Sequence, residues 1–466
     1  MTGLLRVTRH LTAACCLLWV TQAEAQGARE TPGDSSVRRT TLDNGLQVIV
    51  AENHTVPIAT VLLAIHNGAM TQDSGSAGLA HLYEHLLFRS YKGDPEAFAV
   101  EASDLDADWN GTTAEEVVTY FLAPPSKNAI KAVGLLARLV QKPRFNARDL
   151  KDERPVVLNE LQRDEADPER ALDRQAARLL WGPSWSHKDV GGDSESLKRI
   201  DIARLQEAYG QYYVPNNAAL VVTGDVSAAD VFAAAKELFG PWARAPDPFV
   251  QRPVPPVAPL TSSSALLMAK PVTHATILVK YRGPSAGRDT VSPYAIDLLC
   301  DVFNEHGSPF QRHLAGSGLF QSVHCGYETL AHVGPITFRG QTTPERAPQA
   351  LTALLHELDV LSGMADVTDE DLIIAKKRQR VSSALSVESS YALAPALAAS
   401  WSIGGAEAYE LYDRRVTAQR LVDLQDVATL FVSAQPRVIA VLAPPEILPN
   451  LQVALRAAAG AIVRAP

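Results

Sequence analysis

Apolar residues along this chain switch between two spacings, and each switch marks an element. The short unbroken runs LQVIVA from Leu46 and IATVLLAIH from Ile58 are bounded by the turn-forming Asp43-Asn44-Gly45 and Asn67-Gly68, so both predict strands. A helical pattern follows over residues 77–88, then a strand in VVTYFLA from Val117. In NAIKAVGLLARLVQ from Asn128 the apolar positions recur every three or four residues, the mark of one helix face. More helices are predicted over 148–164 and 169–180. AALVVTGD from Ala218 reads as a strand and AADVFAAAKELFG as a helix closed by Gly240.

The next segment, ARAPDPFVQRPVPPVAPLTSSS, is too rich in proline for a helix or a central strand and predicts a linker over 245–262. Beyond it the order of elements recurs. ATILVKYRG from Ala275, GPITFRGQT from Gly334 and RVIAVLA from Arg437 read as strands, and SPYAIDLLCDVFNEH and APQALTALLHELDVL as helices. The expected fold is α+β, with two homologous domains over 40–244 and 263–466. Each would be a mostly antiparallel sheet with helices packed on one face.

A chain of 466 residues supports this division, being too long for one ordinary core. The net charge of −9, without a clustered basic run, excludes a nucleic-acid-binding surface. Arg6 and Arg9, the apolar run from Leu11 to Val20 and Ala23-Glu24-Ala25 have the form of a secretory signal peptide over 1–25, followed by a polar leader over 26–39. A mitochondrial presequence is the alternative, disfavoured by the uninterrupted apolar run. No later stretch is long and apolar enough to span a membrane. The expectation is an exported protein, periplasmic in a Gram-negative bacterium. Removal of the leader leaves Cys300 and Cys325, whose pairing the sequence leaves open.

The chemistry concentrates in AHLYEHL. Chance places an H-x-x-E-H in a chain of this size on the order of a per cent or two of the time. Four residues apart on a helix, His81 and His85 share a face and can present imidazole nitrogens to one ion; zinc suits such ligands. Glu84 sits near the same face, placed as general base for a zinc-bound water. The plain alternative is a helix with two hydrogen-bonded histidines.

The segment SAGLAHLYEHLLF resembles the inverted-motif zinc peptidases, the family of pitrilysin, insulin-degrading enzyme and mitochondrial processing peptidase. In that family a glutamate some seventy-odd residues after the second histidine is the third ligand, with a further functional glutamate seven residues before it. ERPVVLNE supplies Glu160, 75 residues beyond His85, and Glu153, seven before Glu160. The resemblance implies zinc on His81, His85 and Glu160, and Glu153 beside Glu84 as a catalytic carboxylate. DWNGTTAEEVVTYFLAP is similar to the family's edge strand, where Asn110 matches a residue that holds the substrate backbone; Asn-Gly is also a strong turn pair. YYVPNNAALVVTGDV is similar to the signature ending the family's first domain.

Two features depart from the family. Pro155 lies between Glu153 and Glu160, and a proline inside a helix costs roughly 3 kcal/mol outside the first turn, so a helix start or kink is expected there. In SPFQRHLAGSGLFQSV, Ala315 and Gln321 hold places that carry an arginine and a tyrosine in the family. The resemblance therefore implies a zinc-dependent endopeptidase acting on peptides bound as an added strand. It would be completed by a second subunit, a zinc-less paralogue supplying Arg and Tyr or a second copy of this chain. A non-catalytic peptide-binding or assembly subunit of the same fold is the alternative.

Overall fold

The computed structural model describes residues 37–361, 367–459 and 462–465, so the expected signal peptide and most of the polar leader lie outside the described residues. Residues 37–39, counted above with the leader, instead open an edge strand, β1 (Val37–Thr41). Arg39 ties it down by donating to the Ala406 carbonyl and pairing with Glu410.

β1 joins β2 (Gln47–Glu52), β3 (Ala59–Ile65), β4 (Asp108–Thr113), β5 (Val118–Ala123) and β6 (Ala218–Gly224) in a six-stranded sheet of order β1-β2-β6-β3-β5-β4. The β2–β6 pair is parallel and the others are antiparallel. Every residue of β3 and β6 is buried, which is why they appear as continuous apolar runs and not as alternating ones.

The second sheet repeats this plan over five strands, β7 (Ser264–Ala269), β8 (Ala275–Ser285), β9 (Ser322–Tyr327), β10 (Val333–Thr342) and β11 (Val438–Ala443); its sixth, β12 (Ile462–Ala465), runs parallel to β7 where β1 is antiparallel to β2, giving the order β12-β7-β11-β8-β10-β9. Of the expected linker, residues 253–261 form neither helix nor strand, but a short helix, Pro248–Gln251, lies within it, because a proline is tolerated in a first turn and the Asp247 side chain accepts the Phe249 N–H.

Each sheet packs helices of its own half on one face. Leu82 and Leu86 of helix Leu79–Arg89 and Leu136 and Val140 of helix Ala129–Gln141 meet Val48, Val61, Leu63 and Leu220 there. The opposite face carries something the sequence did not announce. Leu393, Leu397 and Trp401 of helix Ser390–Gly404, from the second half, pack on Ile49, Leu62 and Val221 of the first sheet. In return, Leu172, Ala176 and Leu180 of helix Pro168–Trp181 pack on Leu266, Leu278 and Ala440 of the second. Burying one leucine this way is worth about 2 kcal/mol, so the exchanged helices hold the two halves together as well as covering the sheets.

The sheets also match in register. Val48, Leu220, Leu63, Tyr120 and Gly111 form one row across β2, β6, β3, β5 and β4. Ala265, Ile439, Val279, Phe338 and Cys325 form the corresponding row across β7, β11, β8, β10 and β9. Cys325 is bonded to Cys300 of helix Ser292–Asn304, which closes the pairing question.

Candidate metal centre

The H-x-x-E-H lies on helix Leu79–Arg89, whose Leu82, Leu86 and Leu87 face the core and leave His81 and His85 on a half-buried face. The start of this helix is held by Gln72, whose Oε1 accepts the N–H groups of Gly78 and Ala80 and so satisfies first-turn donors that have no intrahelical partner. Glu153 and Glu160 lie on helix Ala147–Ala166, opened by Asn146, whose side chain accepts the Asp149 N–H at 2.9 Å. Pro155 neither starts nor ends this helix. Pro155 and Lys151 are exposed, so water can meet the Lys151 carbonyl that the proline ring leaves without a donor. Glu153 and Glu160, two turns apart, both face the motif helix.

Three donor atoms converge. His81 Nε2 and His85 Nε2 are 3.2 Å apart, and Glu160 Oε2 stands 3.7 Å from the first and 3.5 Å from the second. Two donors each about 2.0–2.2 Å from one tetrahedral ion stand roughly 3.3–3.6 Å apart, so the triangle has the size zinc requires. Two imidazole nitrogens and a carboxylate oxygen so placed repel one another unless a cation or a proton lies among them. Among the described residues this is the one group of three or more His, Cys, Asp or Glu side chains that could hold a metal.

Glu153 stands behind the triangle. Its Oε1 lies 2.9 Å from His85 Nδ1 and its Oε2 is 3.4 Å from Arg89 Nε. When His85 Nδ1–H donates to Glu153, Nε2 is the bare nitrogen facing His81 and Glu160, the tautomer a metal needs. Burial pulls His85 down, but the Glu153 hydrogen bond and the charges of Glu84 and Glu160 outweigh it, leaving its pKa above the ordinary histidine value. Burial, assisted by the neighbouring His85, lowers His81 to about 4, so that ring is neutral at physiological pH. The His85 hydrogen bond, with the charges of His85 and Arg89, holds Glu153 below the usual carboxylate range against its burial.

Glu84 reaches β4, and His85, Glu160 and Glu153 stand near enough to act on its charge. Glu84 is 7 % exposed, and burial raises its pKa against the opposing charge of His85 and a hydrogen bond from Thr113. Asn110 and Gly111 do not form a turn; both lie within β4, an edge strand that among the described residues pairs with β5 alone. Asn110 is exposed, and its side-chain oxygen accepts the Gly111 N–H at 2.9 Å.

Sequence reasoning missed Arg89, Gly111 and Thr113. Arg89 is one turn past His85, a spacing that could have flagged it, whereas the other two act through a strand-to-helix contact with no local signal.

The family profile described as "Insulinase (Peptidase family M16)" matches residues 47–181, and that described as "Peptidase M16 inactive domain" matches residues 199–379. An uncharacterised zinc protease of Mycobacterium tuberculosis is 28% identical over 381 residues, spanning 78% of this chain and 84% of its own. A protease from Helicobacter pylori has a similar structure, with a TM-score of 0.77 and 21% identity over 88% of this chain and 100% of its own. The periplasmic protease PqqL from Escherichia coli gives a TM-score of 0.74 at 18% identity, covering 91% of this chain and 50% of that one. With both profiles matched in order and the H-x-x-E-H inside the first, the chain belongs to the M16 peptidase family.

Proposed function

We propose that this protein is an exported zinc-dependent endopeptidase in which His81, His85 and Glu160 hold the metal. The observation that carries the reading is the convergence of three donor atoms on one point beside a buried glutamate. Zinc held there would supply Lewis acidity, bringing the pKa of water toward neutrality and polarising a peptide carbonyl. Glu84 takes the proton from the attacking water and returns it to the leaving amine; its raised pKa brings it nearer the working pH of such an exchange. Glu153 acts through His85, fixing its ring and tautomer. The peptide pairs as an added strand along the open edge of β4, where main-chain hydrogen bonds give affinity without strict sequence demand, and Asn110 helps to hold it.

A second subunit completes the site in this reading. Ala315 and Gln321 offer neither a guanidinium nor a phenol, and the chain corresponds to half of Escherichia coli PqqL. The partner is a zinc-less paralogue supplying Arg and Tyr, with a second copy of this chain as the other candidate; mass measurement of the native complex separates them. Export is supported by the signal-peptide pattern and by the Cys300–Cys325 pair, which belongs to an oxidising compartment. The non-catalytic reading finds support in the "inactive domain" match, but that match lies over residues 199–379, outside the metal set.

Glu84→Gln is the test. The variant should keep its zinc and lose hydrolysis of an unstructured peptide by roughly 10²–10⁴-fold, and undiminished turnover refutes the assigned base.

A further inference from the structure

The side of β4 facing the motif helix touches Glu84 at two points. Thr113 Oγ1 donates to Glu84 Oε2 at 3.2 Å, the one hydrogen bond to this carboxylate among the described residues. Two positions earlier on the same face, Gly111 is in contact with the rest of the group: a Cβ built there would stand 2.3 Å from Oε1 and 2.9 Å from Cγ and Cδ. The carboxylate therefore lies in a cradle with a bare backbone floor and one hydroxyl wall.

That wall is fixed. Immediately past Thr113, the carbonyls of Ala114 and Glu115 accept the N–H groups of Ala69 and Met70 at 3.3 and 2.9 Å. Glu116, 2 % exposed, accepts the backbone N–H groups of Ala331 and His332 at 2.6 and 2.8 Å. A glutamate side chain has three rotatable bonds and loses entropy when it is ordered, so a long, freely turning base needs such a fixed donor to be held in one pose.

The second half has a link of its own at the matching place. Cys300 follows Val279 by the same 21 residues that separate Glu84 from Leu63, and its partner Cys325 occupies the row position of Gly111. The contact between helix and edge strand is thus pinned in both halves, by a covalent bond in one and by the Glu84 cradle in the other.

We propose that Thr113 is a positioning residue that holds the Glu84 carboxylate in one pose through Oε2, against the bare backbone of Gly111. This rests on the proposed peptidase reading. It adds that the strand expected to receive the peptide also orients the base, since Gly111 and Thr113 belong to the backbone along which the peptide would pair.

The test uses the full zinc-loaded chain, with its partner if one copurifies, and compares Thr113→Val, Thr113→Ser and Glu84→Gln by zinc content, kcat and KM on an unstructured peptide. A crystal structure of the zinc-loaded Thr113→Val protein adds a readout independent of turnover. Thr113→Val should lower kcat roughly tenfold at unchanged KM and zinc content, and its Glu84 carboxylate should leave the cradle or split between poses. Thr113→Ser, which keeps the hydroxyl, should restore most of kcat. Loss of activity in Glu84→Gln with full turnover in Thr113→Val overturns the positioning role and leaves the base in place. Equal losses in the Val and Ser variants, or an unmoved carboxylate in the crystal, overturn it too. Full turnover in Glu84→Gln refutes Glu84 as the base and with it the role given to Thr113, whereas the unaltered zinc-loaded chain failing to cut the peptide refutes the peptidase reading itself.

Discussion

The two halves of this chain set the same backbone to different chemistry. Their sheets share strand order and register, so positions can be compared row by row. With Glu84 facing Cys300, the histidines His81 and His85 fall opposite Asp297 and Asp301, and H-L-Y-E-H stands against D-L-L-C-D. In the first half a second helix brings Glu160 to the histidines. In the second half Asp297 is turned into the protein, accepting hydrogen bonds from Tyr412 at 3.0 Å and Thr329 at 3.2 Å. Burial pushes Asp297 up to about 7 and Asp301 up to about 6, the latter against the charge of Arg378. A carboxyl that holds its proton and is shared with two hydroxyls is a packing element, whereas two imidazoles facing a carboxylate form a donor set that could hold a metal. The architecture does not decide which half can hold a metal; His81 and His85 on one helix and Glu160 on another do.

The largest effect should come from making the first half resemble the second. His81→Asp combined with His85→Asp should abolish zinc binding and hydrolysis beyond the detection of a peptide assay. Retained stoichiometric zinc would break the comparison.

Removing the covalent pin from the second half comes next. Cys300→Ser with Cys325→Ser opens a loop with a sequence separation of 25 and should cost about 3 kcal/mol of stability, read by denaturant titration. Turnover per folded molecule should stay unchanged, since the bridge is in the half without the metal set.

Glu153→Gln sharpens the picture of the first half. Losing the charge behind His85 should weaken zinc affinity by about 10- to 100-fold, measured by competition with a chelator, while saturating zinc restores most activity.

The smallest effect belongs to Asp297. Its pKa in the folded chain lies above the ordinary carboxylate value, so as pH rises the unfolded chain releases this proton first. Its contribution to stability should therefore fall between about pH 4 and about pH 7 and stay flat above that. Asp297→Asn, which can still accept from Tyr412 and Thr329, should flatten this slope in melting curves taken across the window. An unchanged slope would show that another group carries it.

The sequence by itself determined the elements whose residues are adjacent. Buried central strands such as β3 and β6 showed as apolar runs, and the helix with His81, Glu84 and His85 showed by its spacing. The pairing of Glu160 with the two histidines was legible only through family resemblance, because no periodicity links positions 75 residues apart. The helix does not start at Pro155, as the proline alone allowed, since exposure of its turn to water is a tertiary fact. The edge strands β1 and β9 were missed because half-solvated strands carry mixed polar residues. Of the exchanged helices, Pro168–Trp181 was expected over 169–180 and Ser390–Gly404 was not, and nothing in either pattern names the sheet it covers. The same limit applies at the site. Residue types and spacings fixed which side chains could bind metal, whereas the Glu153–His85 bond, the Thr113–Glu84 contact and the Cys300–Cys325 bridge follow from how helices settle on sheets. That packing is set by the fit of side chains distant in sequence, which local patterns do not encode.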